Sequence, residues 1–450
     1  MALSDLPVTG RPLNTILEKI NSRWRGFPNI TTLGSYDHMS QVIRLNALEK
    51  RDIDQLTSIG TVDIKKKILP LMAHEGTHYL DHVATLWGQF NLVDIYNALH
   101  SRIQNNEHQF WRISDFKTKL KRIHYADYYN IILEAGKQPW DGKPWQQTMT
   151  MGFEFGPDGR INNNRPILFL RFSTEDERPV ARVPLSIVSL LETTAMAAEI
   201  DLELKITNEL SGDQLVLERK FVDKKYTNRL FDGNLCVYSV CAHLLANKCM
   251  IFNYVDAYRK AARLAMLCLN IPRKAFARIK LPPHLFNGIS GIISYFRRTC
   301  DRALAYYILL THAPILFEDD PDIWLKELVK SSGLGTLEQL QREGDEELSG
   351  KKDLLTGIET DRLQELLRTG TVLRKHRDCY TVSYFDVWDR AIIHGDVVSG
   401  PAVLLGDDHV ISFGNPPTES LSSSEDMISW IYRIYDYESR MDEFLGACLM

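Results

Sequence analysis

Two histidines four residues apart, with a glutamate directly after the first, stand in the stretch Leu71-Met72-Ala73-His74-Glu75-Gly76-Thr77-His78-Tyr79-Leu80-Asp81-His82. On an α-helix that spacing returns almost to the same face, so His74 and His78 can offer imidazole nitrogens to one metal ion at about 2.0–2.1 Å. Glu75 lies about a third of a turn away. From there it can take a proton from water held by the metal without competing as a ligand. This is the H-E-x-x-H arrangement of zinc peptidases, and the chemistry it points to is hydrolysis with Glu75 as the base.

A catalytic zinc takes three protein ligands and keeps one position open, and two histidines with one glutamate are a known set. The missing carboxylate is offered by a segment expected to be helical from Pro184, or just beyond, through Leu202. In it Glu192, Glu199 and Glu203 are spaced by seven and four among Leu, Ile and Ala. That spacing puts the three glutamates on one helical stripe. Carboxylates on a helix this apolar need partners, because an unpaired buried charge is costly. Zinc at Glu192 is such a partner, with His82 and Glu199 as alternative ligands.

The pair of motifs resembles the gluzincin group of zinc metallopeptidases, in which an H-E-x-x-H helix is followed by a second helix whose glutamate completes the site, in several members within E-x-x-A. Here His74-Glu75-Gly76-Thr77-His78 matches the first motif and Glu192-Thr193-Thr194-Ala195 resembles the second. The resemblance implies a zincin-like catalytic domain in which His74, His78 and Glu192 bind one zinc ion per chain. It also implies that Glu75 polarises the attacking water and that Glu199 or His82 stands behind the ligands. It covers two helices, separated by 192 − 78 = 114 positions, a longer connection than many gluzincins have.

The elements that must position these residues follow from periodicity. Ile68, Leu69, Met72, Gly76, Tyr79, Leu80, Val83, Leu86 and Trp87 form one apolar stripe, with the three histidines opposite it, facing water or a cleft. Mid-helix Gly76 implies a close neighbour above the backbone. Asp63 is the expected N-cap of a segment running into this helix, Pro70 either kinks the helix or begins it, and the helix extends to about Phe90. Upstream, residues 11–24 read as a helix and Gln41–Leu45 as a short strand. Residues 91–140 read as mostly helical, and none of their tyrosines or histidines is singled out as an oxyanion donor.

Thr148–Phe155 and Ile167–Phe172 alternate as strands about the turn Gly156-Pro157-Asp158-Gly159, giving a hairpin or small sheet. Residues 225–312 read as helical (Leu235–Asn247, Tyr254–Leu269, Gly291–Leu310), followed by a helix over 358–376. A β-rich patch at Tyr380–Tyr384 and Ala402–Phe413, a Ser-rich linker at 419–424 and a helix over 426–445 close the chain. The expected class is α+β, predominantly helical. Residues 1–215 form the zincin-like domain with its small sheet or hairpin, 216–350 a helical domain and 351–450 a mixed helical and β region.

Composition narrows the function. In 450 residues, 44% hydrophobic and 10% aromatic content supports packed cores, and a net charge of −5 gives no general attraction to nucleic acid or anionic membranes. The basic runs Lys65-Lys66-Lys67 and Lys117, Lys119, Lys121, Arg122 read as solvated helix faces. Seven cysteines without a C-x-x-C pair fit reduced thiols, and Cys236, Cys241 and Cys249 around His243 read as buried structural groups rather than a second zinc site. His394-Gly395-Asp396 reads as a turn. With no signal-peptide pattern and no apolar window of spanning length, a cytoplasmic protein without nucleic-acid or membrane partners is expected. The expected function is a zinc-dependent metallopeptidase hydrolysing a peptide bond of an intracellular protein target. The alternatives are a non-enzymatic helical interaction protein with an inactive H-E-x-x-H helix, or a zinc hydrolase of a non-peptide amide.

Overall fold

The computed structural model describes residues 33–103, 107–134, 143–156, 159–282, 291–314, 321–352, 360–378, 382–398, 400–412 and 424–448. The helix expected over 11–24 lies outside them, as does the Ser-rich linker apart from Ser424. The protein is α+β and predominantly helical, as expected. It opens with strands β1 (Ser35–Asp37) and β2 (Val42–Leu45), then helices α1 (Lys50–Ser58), α2 (Val62–Ala84), α3 (Leu86–Ile103) and α4 (Trp111–Ile123). Strands β3 (Ile131–Ile132), β4 (Gln146–Phe155), β5 (Ile161–Ser173) and β6 (Pro179–Pro184) follow. The middle of the chain is helical: α5 (Ile187–Thr207), α6 (Gly212–Leu230), α7 (Cys236–Cys249), α8 (Tyr254–Leu269), α9 (Ile292–Thr299), α10 (Arg302–Thr311), α11 (Pro321–Ser331) and α12 (Leu337–Lys352). The chain ends with α13 (Thr360–His376), α14 (Tyr384–Ile393), β7 (Ala402–Leu405), β8 (Val410–Ser412) and α15 (Ser424–Ala447).

The expected hairpin is the pair β4–β5, joined by β6 and β3 into an antiparallel sheet of order β3-β6-β5-β4. The second sheet has the order β1-β2-β7-β8, and in it β2 pairs parallel to β7 with Ile43 opposite Val403. That pairing returns the C-terminal part of the chain to its beginning. One core is built from residues between Tyr36 and Phe116 together with residues between Leu363 and Met441, and a second mainly from residues between Trp145 and Leu340. The divisions expected at 215 and 350 therefore do not follow the cores. Helix α5 belongs with the central helices, and the region after 360 closes over the first core, because strand β7 and the apolar faces of α13 and α15 find their partners there.

Helices α2 and α5 pack on each other where the two cores meet. Every residue from Met72 to Ala84 on α2 and from Ile187 to Ile200 on α5 is buried. The histidines thus do not line an exposed face: α5 covers His74 and His78 and β1 reaches His82, while α13 and α14 lie against the apolar stripe at Val83 and Gly76. Gly76 does have its close neighbour, since a Cβ there would come within 3.0 Å of Tyr384 Cγ. Thr61, not Asp63, caps α2, and Pro70 lies inside the helix.

The helix also stops earlier than expected. Thr85, with ψ 157°, breaks it, and its hydroxyl bonds Asp81 O at 2.6 Å while accepting from Gly88 N at 3.0 Å. A side chain at Gly88 would collide with the carbonyls of Asp81 and His82, so the new helix α3 leaves at a close crossing. Among the later elements, Gly291–Leu310 is split into α9 and α10 at Cys300 and Asp301, and Tyr384 opens a helix rather than lying in a strand.

Helix α13 crosses α2 at Gly370, where a Cβ would lie 1.8 Å from Val83 O. Gly370→Ala is expected to lower stability by about 1–3 kcal/mol through forced separation of the two helices. At Gly350, also helical, a Cβ would meet no atom within 4 Å. Gly350→Ala should therefore raise stability by about 1 kcal/mol. Thermal unfolding of the two variants checks both signs.

Candidate metal centre

Helix α2 presents His74 and His78 to α5, and α5 answers with Glu192. His74 Nε2 lies 3.3 Å from Glu192 Oε2, and His78 Nε2 lies 3.6 Å from Glu192 Oε1. One ligand atom from each of the three falls within 4.8 Å of the others, and all three side chains are buried. They could hold a metal ion. The donor set fits one: Glu192 is 1% exposed, and its Oε2 makes no hydrogen bond of good geometry among the described residues. A carboxylate so placed is costly without a cation. The two imidazole rings stand nearly perpendicular, at 80° with centroids 5.0 Å apart.

Glu199 takes the other nitrogen of His74. His74 Nδ1 donates to Glu199 Oε2 at 3.1 Å, which fixes the tautomer and leaves the Nε2 lone pair for a metal. The second Glu199 oxygen accepts from Tyr226 at 3.1 Å and from Arg229 at 2.5 Å, both on α6. Glu203, one turn on, is held by Lys225 and Tyr226, each at 2.5 Å. Glu199 and Glu203 are therefore satisfied by donors on α6, while Glu192 faces the two histidines.

Electrostatics separate the carboxyls. Burial pushes Glu75 up to about 8; His74 opposes this, while the charges of Glu192 and Glu199 add to it. Glu192 is likewise raised, chiefly by burial. Burial would raise Glu199 too, but Arg229 and His74 outweigh it and hold that carboxyl well below the usual range. Burial lowers His74, yet Glu192 and Glu199 overcome it and raise the imidazole. Burial lowers His78, helped by the charges of His74 and His38.

Glu75 Oε2 is buried without a hydrogen-bond partner among the described residues. Above this side chain runs Gly34, where a Cβ would come within 2.9 Å of Glu75 Cγ and 3.0 Å of Oε1. Only a glycine lets the chain pass so close. Tyr238, half-buried on α7, feels the charges of Glu192 and Glu75, and with burial as the largest cause its phenol is held protonated well above the ordinary value.

His82 takes no part in this group. Its Nδ1 accepts from Tyr36 Oη at 2.9 Å and its Nε2 donates to Asn91 Oδ1 at 2.9 Å, so both nitrogens are committed elsewhere. Of the expected outer partners, Glu199 alone touches a ligand. Sequence reasoning also missed Asp81, whose fully buried carboxylate pairs with Arg377 and accepts from Thr194 at 2.5 Å, tying α2, α5 and the C-terminal region together. Gly34, Tyr226, Arg229 and Tyr238 were missed as well. The stripe of glutamates demanded donors, but several basic helices offered them equally well. The cysteine cluster is structural as expected: Cys236, Cys241 and Cys249 are buried, and His243 stacks on Trp145 with its Nε2 donating to Leu230 O at 2.8 Å.

No protein-family model matches the chain, and no curated protein or solved structure matches it either.

Because Glu199 orients His74, Glu199→Gln is expected to weaken metal binding by about 10–100-fold. Tyr36→Phe, which removes a hydroxyl that bonds His82 and no metal ligand, should leave the affinity within about twofold. Competition with a chromophoric chelator measures both, and equal affinities in the two variants would contradict the role given to Glu199.

Proposed function

We propose that the chain is a zinc-dependent metallopeptidase with a zincin-like centre, hydrolysing a peptide bond of a protein target in the cytoplasm. The observation that carries this reading is the convergence of buried His74, His78 and Glu192 beside a buried Glu75 oxygen that no described residue satisfies. Two imidazoles and one carboxylate suit zinc, and a base without a protein donor suits water chemistry. When bound, zinc supplies the positive charge that polarises a scissile carbonyl and brings the pKa of water towards ~7.

The chain's own residues do the remaining work. His74, His78 and Glu192 bind the ion, and Glu199 keeps the His74 proton on Nδ1. Glu75 accepts a proton from water and returns it to the leaving amine. Its carboxyl is raised by burial and by the neighbouring carboxylates, and a cation held beside them would oppose that shift and favour the carboxylate form that can act as a base.

The burial of all four side chains favours one second reading, a non-enzymatic protein in which the ion only ties α2 to α5. Glu75→Gln separates the two, because it removes the base and no ligand. The peptidase reading expects the variant to keep its metal and to lose about 10²–10⁴-fold in turnover of peptides selected from a library with the wild type. Undiminished turnover would end the assignment of Glu75, and a wild type that cleaves no peptide would favour the second reading.

A further inference from the structure

A cleft of about 480 Å³ lies between α3, α4 and the α9–α10 corner, with Asn91, the partner of His82, in its wall. Its walls are of two kinds. Trp87, Phe90, Ile123 and Ile187 are apolar, while Lys119 and four arginines bring positive charge. Counting Asp94, Asp115 and Asp301 against these five cations leaves 5 − 3 = +2, on a chain whose net charge is −5.

The acids are already engaged. Lys119 holds Asp94 at 3.0 Å and Asp115 at 2.7 Å, and Asp301 caps α10 by accepting from Leu304 N at 2.9 Å. Two of the arginines are engaged as well. Arg302 donates to the carbonyls of Cys268 and Ile271 at 2.7 and 2.8 Å, and Arg273 has Glu347 at 3.6 Å.

Arg122 and Arg298 are different. The Arg122 guanidinium lies 5.7 Å over the Tyr295 ring and its charge acts on the Asp301 carboxyl, but its Nε is buried without a hydrogen-bond partner among the described residues. Arg298 is exposed, and no ion pair among the described residues includes it. Asn91 accepts from His82 through its Oδ1, and the positive charge left for an anion in the cleft is that of these two arginines.

We propose that this cleft binds a small organic anion, a phosphate carried on an aromatic body, with Arg122 and Arg298 holding the phosphate and Trp87 beside the ring. Guanidinium groups hold phosphate oxygens by charge-assisted pairs, and an apolar wall beside them selects a ligand with a ring over the bare anion. The site is separate from the metal group and does not rest on the peptidase reading.

Isothermal titration of the full chain with phenyl phosphate tests it, beside inorganic phosphate, an Arg122→Ala/Arg298→Ala double variant and a Glu192→Ala variant. The expected result is one phenyl phosphate per chain, bound more tightly than inorganic phosphate, at least ten-fold weaker in the double variant and unchanged in Glu192→Ala. No binding by folded wild type, equal affinity for the two phosphates, or equal affinity in the double variant would overturn the proposal. So would loss of binding in Glu192→Ala, since the phosphate would then be at the metal group. Arg298→Ala alone, at an exposed position, gives the same reading if the double variant does not fold.

Discussion

Four carboxylates buried between two packed helices set the constraint that the rest of this structure answers. Glu75 on α2 and Glu192, Glu199 and Glu203 on α5 all lie away from water. Taking such charges out of solvent costs several kcal/mol each unless they are paired. Lys225, Tyr226 and Arg229 on α6 satisfy Glu199 and Glu203. Among the described residues nothing comparable reaches Glu192, which meets chiefly the imidazoles of His74 and His78, and Glu75 Oε2 has no hydrogen-bond partner. A divalent cation among those groups balances the remaining charge, and this is the physical ground for reading the cluster as a metal centre.

The surrounding fold serves to hold α2 and α5 in one relation. Each helix belongs to a different core, so their contact is also the seam between the cores. The C-terminal region secures that seam: β7 pairs with β2, α13 crosses α2 at a glycine, and Arg377 reaches the Asp81 carboxylate that Thr194 of α5 also contacts. A buried pair of this kind is destabilising when broken, because the surviving partner is left uncompensated. Gly34 adds a last constraint, since it lets the chain just before β1 lie directly over Glu75.

Much of this was legible in the residues. The spacing of His74 and His78 and the stripe of Glu192, Glu199 and Glu203 are local, helical facts, and both survive into the structure. The β4–β5 hairpin and the helix Tyr254–Leu269 were equally local. What periodicity did not supply was long-range. The stripe analysis left the histidines on an open face, because periodicity within one helix does not show what packs on it: α5 covers His74 and His78, while α13 and α14 lie against the apolar stripe at Val83 and Gly76. The helix end at Ala84 was hidden for a different reason: Thr85 and Gly88 act through one tight crossing, while the apolar pattern runs on through Leu86 and Trp87. His82 carried the right chemistry for a ligand, and only the positions of Tyr36 and Asn91 show that both of its nitrogens are spent elsewhere.

Metal content per chain, by elemental analysis of protein purified without chelator, tests the central claim most directly. Wild type, His78→Ala and Glu192→Ala would be compared after their folding is verified. The account predicts one zinc per wild-type chain, lost or strongly reduced in both variants. A well-folded wild type that holds no zinc even after zinc is resupplied, or variants that keep it in full, would contradict it.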